Sequence, residues 1–283
     1  MSARTRLDGA GGVPGTRVDS GAAAPGTRAD TSSAAAPGTR ADHGDDAPTA
    51  LDGFVHLRLP PKLDRRYSLI RELGRGGEAS VWLAERRSSG GRVAMKVFHV
   101  PPRYVFELAS AEHRRHFRPE HTVAIYERGT EHGIAYEVME YCPLGTLHDL
   151  NISRNRPFST EFLTDVVREI SSALNSMHPV VHGDLKPSNV LVRSEKPLDL
   201  VLSDFGLTVD LGSRTHRTNH GRGSVAYLPP GGLGRVRASG DWWALGMTVL
   251  ELLLGRNVFQ HEDGTWMDDD TITENLAVRP VPL

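Results

Sequence analysis

The stretch "HGDLKPSNVLV", residues 182–192, decides how this chain is read. Within six positions it sets a carboxylate (Asp184), an ammonium (Lys186) and a carboxamide (Asn189), and it runs into an aliphatic segment suited to a strand. Any one of these side chains can cap a turn. Together they can accept a proton, hold an anion and ligate a cation, so the rest of the chain must say whether this is a loop or a site. Gly183, directly before the carboxylate, adds a second question, because it has no side chain to offer.

Working outward, Asp204 of "SDFG" follows Asn189 by fifteen residues, with two short strands expected between them. Upstream, "YSLIREL", "ASVWLAE" and "RVAMKVF" are β-branched or aromatic runs separated by "GRGGE" and "RRSSGG", which predicts an antiparallel meander. A charged helix is expected over 104–116, then strands again at "TVAIYE" and "IAYEVMEY". Phe162, Val166, Ile170, Leu174 and Met177 fall on one stripe and predict an amphipathic helix over 160–177 with Ser159 as N-cap. A sheet-rich half thus precedes a helix-rich half, the order of an α+β chain in two lobes.

The 283 residues suit one large domain or two modest ones, and a hydrophobic content of 39% suits a globular chain. A net charge of −2 points to neither nucleic acid nor an anionic membrane as a partner. The single cysteine, Cys142, cannot close an internal disulfide, which suits a reducing, cytoplasmic setting. The longest apolar run, "WWALGMTVLELLLG" at 242–255, is too short, and too polar at Thr248 and Glu251, to span a bilayer; no signal peptide is expected after Met1. Residues 1–60 contain "PGTRVD" once and "PGTRAD" twice, from Pro14, Pro25 and Pro37, in a background of Ala, Gly, Ser and Asp. With so few large apolar side chains this tail is expected to be disordered; it is either a neutral extension or a docking tail modified at Thr16, Thr27 and Thr39. Residues 61–140 and 141–283 are read as the two lobes.

Taken in order, "LGRGGEASVWLA", "VAMK", "HGDLKPSNVLV", "SDFG", "GSVAYLPP" and "DWWALGMTVLELLLG" resemble the eukaryotic-like (Hanks-type) Ser/Thr protein kinases over roughly residues 67–280. The resemblance implies a bilobal protein-kinase-like fold, with a small antiparallel-sheet N-lobe and a mainly helical C-lobe lacking its last helices, and it implies ATP and Mg²⁺ as cofactors. By the same resemblance Gly74 and Gly76 let backbone N–H groups face phosphate, although Ala79 stands where a third glycine is usual. Lys96 holds the α and β phosphates, steadied by Glu112, with Glu107 as its rival. Val81, Ala94 and Leu191 sandwich the adenine, the backbone of Glu140 and Cys142 forms the hinge that meets its edge, and Met139 gates the pocket behind it. Asp184 becomes the catalytic base toward a substrate hydroxyl, Lys186 steadies the moving γ-phosphoryl group, and Asn189 and Asp204 ligate metal. Asp241 is expected to hold the backbone of the catalytic loop.

Three departures from that pattern carry expectations of their own. Many members have an arginine before the catalytic aspartate that pairs with a phosphorylated activation loop; Gly183 cannot, so activity is expected not to depend on such a pair, although Thr208, Ser213, Thr215, Thr218 and Ser224 lie in the loop. Pro229, Pro230 and Gly231 replace a triplet that usually ends in glutamate, and its arginine partner is absent as well; losing both avoids stranding one buried charge at a cost of about 3–5 kcal/mol. The helix in "WWALGMTVLELLLG", read as buried on every side, is left by the short C-lobe either in an open lobe or beneath a partner chain. Small-molecule phosphotransferases of kinase-like fold also carry "HGD" with an asparagine five residues beyond the aspartate. "DFG", "YLPP" and "DWWALG" favour instead a protein substrate with a Ser or Thr acceptor, and an inert nucleotide-binding scaffold is the remaining alternative.

Overall fold

The computed structural model describes residues 58–77, 79–99, 116–154, 156–205, 209–210, 225–230 and 237–278. The tail repeats, residues 104–115 of the expected helix with Glu107 and Glu112, and Gly206, Thr208, Ser213, Thr215, Thr218 and Ser224 lie outside them.

Strands β1 (Tyr67–Arg75), β2 (Ala79–Arg86), β3 (Arg92–Phe98), β4 (Ile125–Glu131) and β5 (Ile134–Met139) form one antiparallel sheet in the order β1-β2-β3-β5-β4. The period-2 alternation of β3 sorts its two faces. Val93, Met95 and Val97 pack with Tyr67, Ala84, Tyr136 and Val138, and a short helix α1 (Pro61–Arg66) adds Leu63 to that core. Ala94 points into the other, larger core. Proline at the first position of α1 loses no hydrogen bond there, which is why a helix starts where the sequence suggested only a change of pattern.

The strand expected at "TVAIYE" starts late, at Ile125. The residues before it are drawn to another partner: Val123 N–H donates to Leu202 O and Leu202 N–H to His121 O, both at 2.9 Å. This crossing ties the sheet to the hairpin β7 (Val190–Glu195) and β8 (Leu198–Leu202).

The second half is mainly helical, with α2 (Leu147–Ile152), α3 (Thr160–Met177), α4 (Ala238–Leu254) and α5 (Asp269–Val278). Thr146 and Asp149 close a reciprocal capping box at the start of α2, a T-x-x-D signal that is legible in the sequence. Ser159 caps α3 by accepting from Phe162 N–H at 3.2 Å, and the apolar stripe of α3 enters the core as expected. Two-residue strands β6 (Val180–Val181) and β9 (Val209–Asp210) pair antiparallel across the entry to the opening loop. Helix α4 overturns the expectation that it is buried on every side: Trp242, Leu253 and Leu254 are 43%, 51% and 47% exposed, while the polar Asp241, Thr248 and Glu251 are buried. The core lies along one flank of α4, where Ala244, Leu245, Met247 and Leu252 are buried beside these polar groups, of which Asp241 and Glu251 hold other segments of the chain. No helix among the described residues is long and apolar enough to cross a membrane.

Candidate active site

The loop 182–189 is hung from α4. Asp241, in the first turn of α4, accepts from His182 N–H at 2.7 Å and from Gly183 N–H at 2.9 Å. Burial pushes the Asp241 carboxyl up, and the His182 imidazole with these two N–H groups works the other way. The His182 ring, fully buried, meets the Ser203 carbonyl at 2.9 Å through Nε2. Gly183 takes φ +80°, a conformation that glycine adopts without steric cost, so its presence has a backbone reason besides the missing charge.

Held this way, the three side chains of the opening question do meet. Lys186 Nζ donates to Asp184 Oδ2 at 2.8 Å, and Asn189 Nδ2 donates to the same oxygen at 2.9 Å and to the Asp184 carbonyl at 2.7 Å. Pro187–Asn189 form one turn of 3-10 helix, which folds Asn189 back over Asp184. From Asn189 the chain enters β7, returns along β8, and Ser203 donates to the Asn189 carbonyl from both its N–H (2.9 Å) and its Oγ (3.0 Å). The next residue is Asp204.

Asp204 adopts φ +60°, a left-handed conformation that costs a non-glycine residue on the order of 1 kcal/mol. Phe205 follows, buried, stacked on Phe117 with ring centroids 4.3 Å apart and tilted against His182 at 5.3 Å. That aromatic wedge holds the bend. Lys96, opposite Val81 and Glu137 in the sheet, reaches across to donate to Asp204 Oδ1 at 2.7 Å. Asp204 sits deep among protein atoms, yet 42% of its side chain is open to solvent, as befits the floor of a cleft. Burial raises its carboxyl pKa, but Lys96, with Lys186 and His182 behind it, outweighs burial and holds it below the ordinary range.

The apolar end lies beside this. Met139, Cys142 and Ala94 belong to one buried cluster, with Leu73, Val81 and Leu191 packed against it. Glu140 N–H is taken by the Ala124 carbonyl at 2.8 Å, so of its two backbone groups the carbonyl is the one to offer a ligand. Burial, with Glu140 nearby, pushes the Cys142 thiol up to about 12. In the β1–β2 turn Gly76 N–H donates to Ala79 O at 2.8 Å, and a Cβ built at Gly74 would meet nothing within 4 Å. Neither glycine has positive φ, so nothing in the protein itself demands glycine here, and the open space suits a ligand that approaches the backbone. Among the expected residues the structure pairs Lys96 with Asp204, joins Lys186 and Asn189 to Asp184, packs Val81, Ala94, Cys142 and Leu191 in one apolar cluster, and sets Gly74 opposite Val81, with Gly76 in the same turn and Glu140 after β5; Glu112 lies outside the described residues.

Residues 67–280 match the family described as the protein kinase domain. This chain belongs to the protein kinase family. The kinase region is similar to the serine/threonine-protein kinase PrkC of Bacillus subtilis (strain 168), 35% identical over 219 residues that cover 71% of this chain and 32% of PrkC. It is 31% identical over 212 residues to Aurora/IPL1-related protein kinase 2 of Caenorhabditis elegans, covering 70% of this chain and 66% of that one. Against a cAMP-dependent protein kinase, catalytic subunit-like, of Caenorhabditis briggsae it is 28% identical over 218 residues, covering 73% and 54%. The matched region thus spans about a third of the bacterial relative. The bilobal kinase fold expected from the motifs, with an antiparallel-sheet lobe and a helical lobe, is the fold observed.

Two clusters near the site escaped the sequence reading. Buried Glu251 accepts from Tyr227 Oη and, at 3.0 Å, from Asn257 Nδ2, with His148 3.8 Å away. Arg193 pairs with Glu140 behind the hinge. Neither pattern has a local signature, since the partners come from separate elements.

Proposed function

We propose that this kinase transfers the γ-phosphoryl group of ATP to Ser or Thr hydroxyls of protein substrates. The observation that supports the reading is the pair of contacts Lys186–Asp184–Asn189 and Lys96–Asp204, which offer a carboxylate to act as base, two ammonium groups and two further oxygen donors. Asp184 orients the acceptor hydroxyl and takes its proton as transfer proceeds. Lys186 balances the negative charge next to it, and Lys96 grips the non-transferred phosphates. With its amide N–H groups on Asp184, Asn189 presents its oxygen to a cation, and Asp204 presents a carboxylate held ionised by Lys96. Two such oxygen ligands, Asn189 and Asp204, would hold Mg²⁺, a hard cation that takes few ligands from protein. Bound Mg²⁺ would neutralise charge on the phosphate oxygens. Val81, Ala94 and Leu191 supply the apolar faces for the adenine, and the Glu140 carbonyl and Cys142 N–H its polar edge. Glu112 remains the proposed partner of Lys96. The proposed setting is cytoplasmic, in keeping with the unpaired Cys142, and the proposed organisation is a tail (1–60) ahead of lobes 61–140 and 141–283.

The test is incubation of the full chain with γ-labelled ATP and Mg²⁺ beside Asp184→Asn, followed by phosphosite mapping. Label on Ser or Thr is expected in the parent, with turnover lowered by roughly 10²–10⁴ in the variant. A folded parent that binds Mg-ATP without transferring label would replace this reading with that of a nucleotide-binding scaffold.

A further inference from the structure

A charged cluster lies behind the cleft and has no part in the chemistry above. Arg193 on β7 lays its guanidinium against Glu140 as a two-bond fork, Nε to Oε1 at 2.7 Å and Nη2 to Oε2 at 2.6 Å. Both side chains are 22% exposed. The remaining nitrogen, Nη1, donates to the Pro119 carbonyl at 2.9 Å, and the Asp199 carboxylate stands 3.9 Å from it. The Glu140 carboxylate also accepts from Ala124 N–H at 3.3 Å. One guanidinium therefore joins three segments far apart in sequence: the stretch leading into β4, the residue that follows β5, and β7.

Each of the three reaches the cleft by a short path. Leu191, two residues before Arg193, packs against the apolar cluster, and it bridges to Thr146 while Val192 N–H donates to Gly145 O at 2.9 Å. Strand β7 thus grips both ends of the segment 140–146. The stretch beyond Pro119 pairs with the end of β8, which delivers Asp204 two residues later. A bidentate guanidinium–carboxylate pair fixes direction as well as distance, which a single point charge does not.

We propose that Arg193 is a positioning residue for the nucleobase: through Glu140 it sets the hinge backbone against the apolar floor and contributes to nucleotide affinity rather than to phosphoryl transfer. The inference rests on the nucleotide-binding reading of the cleft. The fork also holds the Glu140 carboxyl below its ordinary range, so the pair stays charged at neutral pH.

The experiment uses the full chain and its Arg193→Met, Arg193→Lys and Glu140→Gln variants, each checked for a cooperative melt. Displacement of a fluorescent ATP analogue by Mg-ATP and, separately, by inorganic tripolyphosphate reads the base and phosphate contributions apart. Mg-ATP is expected to bind about tenfold more weakly to Arg193→Met and Glu140→Gln, with Arg193→Lys between them and the parent. Tripolyphosphate affinity should stay within about twofold of the parent, and KM for ATP should rise by more than kcat falls. Unchanged Mg-ATP binding in folded variants overturns the proposal. So does an equal weakening of both ligands, which would make the fork a support of the fold alone. A parent that binds no Mg-ATP overturns the nucleotide reading itself, whereas a binding parent with indifferent variants removes only the role of Arg193. Should Arg193→Met fail to fold, Arg193→Lys and Glu140→Gln decide.

Discussion

Helices α3 and α4 pack against each other and differ by one residue in length, 18 against 17. Helix α3 buries Leu163, Val166, Ile170, Ala173, Leu174 and Met177 and turns Glu161, Thr164, Arg168 and Ser172 to solvent. Helix α4 buries Ala244, Leu245, Met247 and Leu252 in the same core but buries the polar Asp241, Thr248 and Glu251 beside them, while Trp242, Leu253 and Leu254 are half exposed. An apolar stripe on α3 is all that packing requires. Buried carboxylates on α4 cost desolvation, and they persist where backbone N–H, hydroxyl and amide donors meet them. Asp241 holds the loop that carries Asp184, and Glu251 holds Tyr227, the last residue of the 3-10 turn Val225–Tyr227. Both helices build the core, and α4 in addition holds loops through two buried carboxylates.

The comparison is sharpened first by cutting into α3. Ile170→Ala removes a side chain 1% exposed and should cost about 2–5 kcal/mol of stability in urea denaturation. KM values should be unchanged in the fraction that remains folded. Asp241→Asn should behave in the opposite way. Asparagine offers one acceptor oxygen where His182 N–H and Gly183 N–H need two, and its NH₂ would face one of those donors. A stability loss of about 2–3 kcal/mol is expected, together with a fall in phosphoryl transfer larger than that seen for any folded α3 variant. Full activity in Asp241→Asn would break the distinction between the two helices.

The same contrast shows what could be read from residues alone. The stripe of α3 and the Ser159 cap are properties of neighbouring positions, and both were legible. The contacts within loop 182–189 were legible because Asp184, Lys186 and Asn189 lie within six positions, and the 3-10 turn Pro187–Asn189 folds the last back over the first. Helix α4 was misjudged in one respect: a run of apolar residues says that a helix can be buried all round, whereas which flank is covered depends on elements distant in sequence. Glu251 looked merely too polar for a membrane, because Tyr227, Asn257 and His148 each come from a separate segment. The late start of β4 has the same origin, since Leu202 competes for the backbone of residues 121–123. Gly183 was read through the charge it lacks, and its φ of +80° could not be seen from composition.

Glu251→Gln tests the buried end of α4 more gently. The amide oxygen can still accept from Tyr227 and Asn257, while the charge that strengthens both bonds is lost, so a cost of about 1–2 kcal/mol is expected by thermal or urea unfolding. A change within experimental error would mean that the burial of Glu251 has little electrostatic content.

The smallest effect should appear at the rim of the same network and depend on pH. His148 lies 3.8 Å from Glu251 Oε1 with 43% of its side chain exposed. The Glu251 carboxylate beside it raises its pKa above the ordinary 6.5; burial opposes that, and the charge of Asp149 adds to it. Because the folded-state value is the higher one, the contact stabilises fully below 6.5, weakens as pH rises through the raised value, and vanishes above it. Exposure limits the gain to roughly 0.5 kcal/mol or less. The stability difference between the parent and His148→Gln should therefore be largest on the acid side of 6.5 and shrink toward alkaline pH. In Glu251→Gln the same histidine substitution should produce no such slope, since the carboxylate that raises its pKa is gone. A slope that survives in the double variant would assign the effect to Asp149 rather than to Glu251.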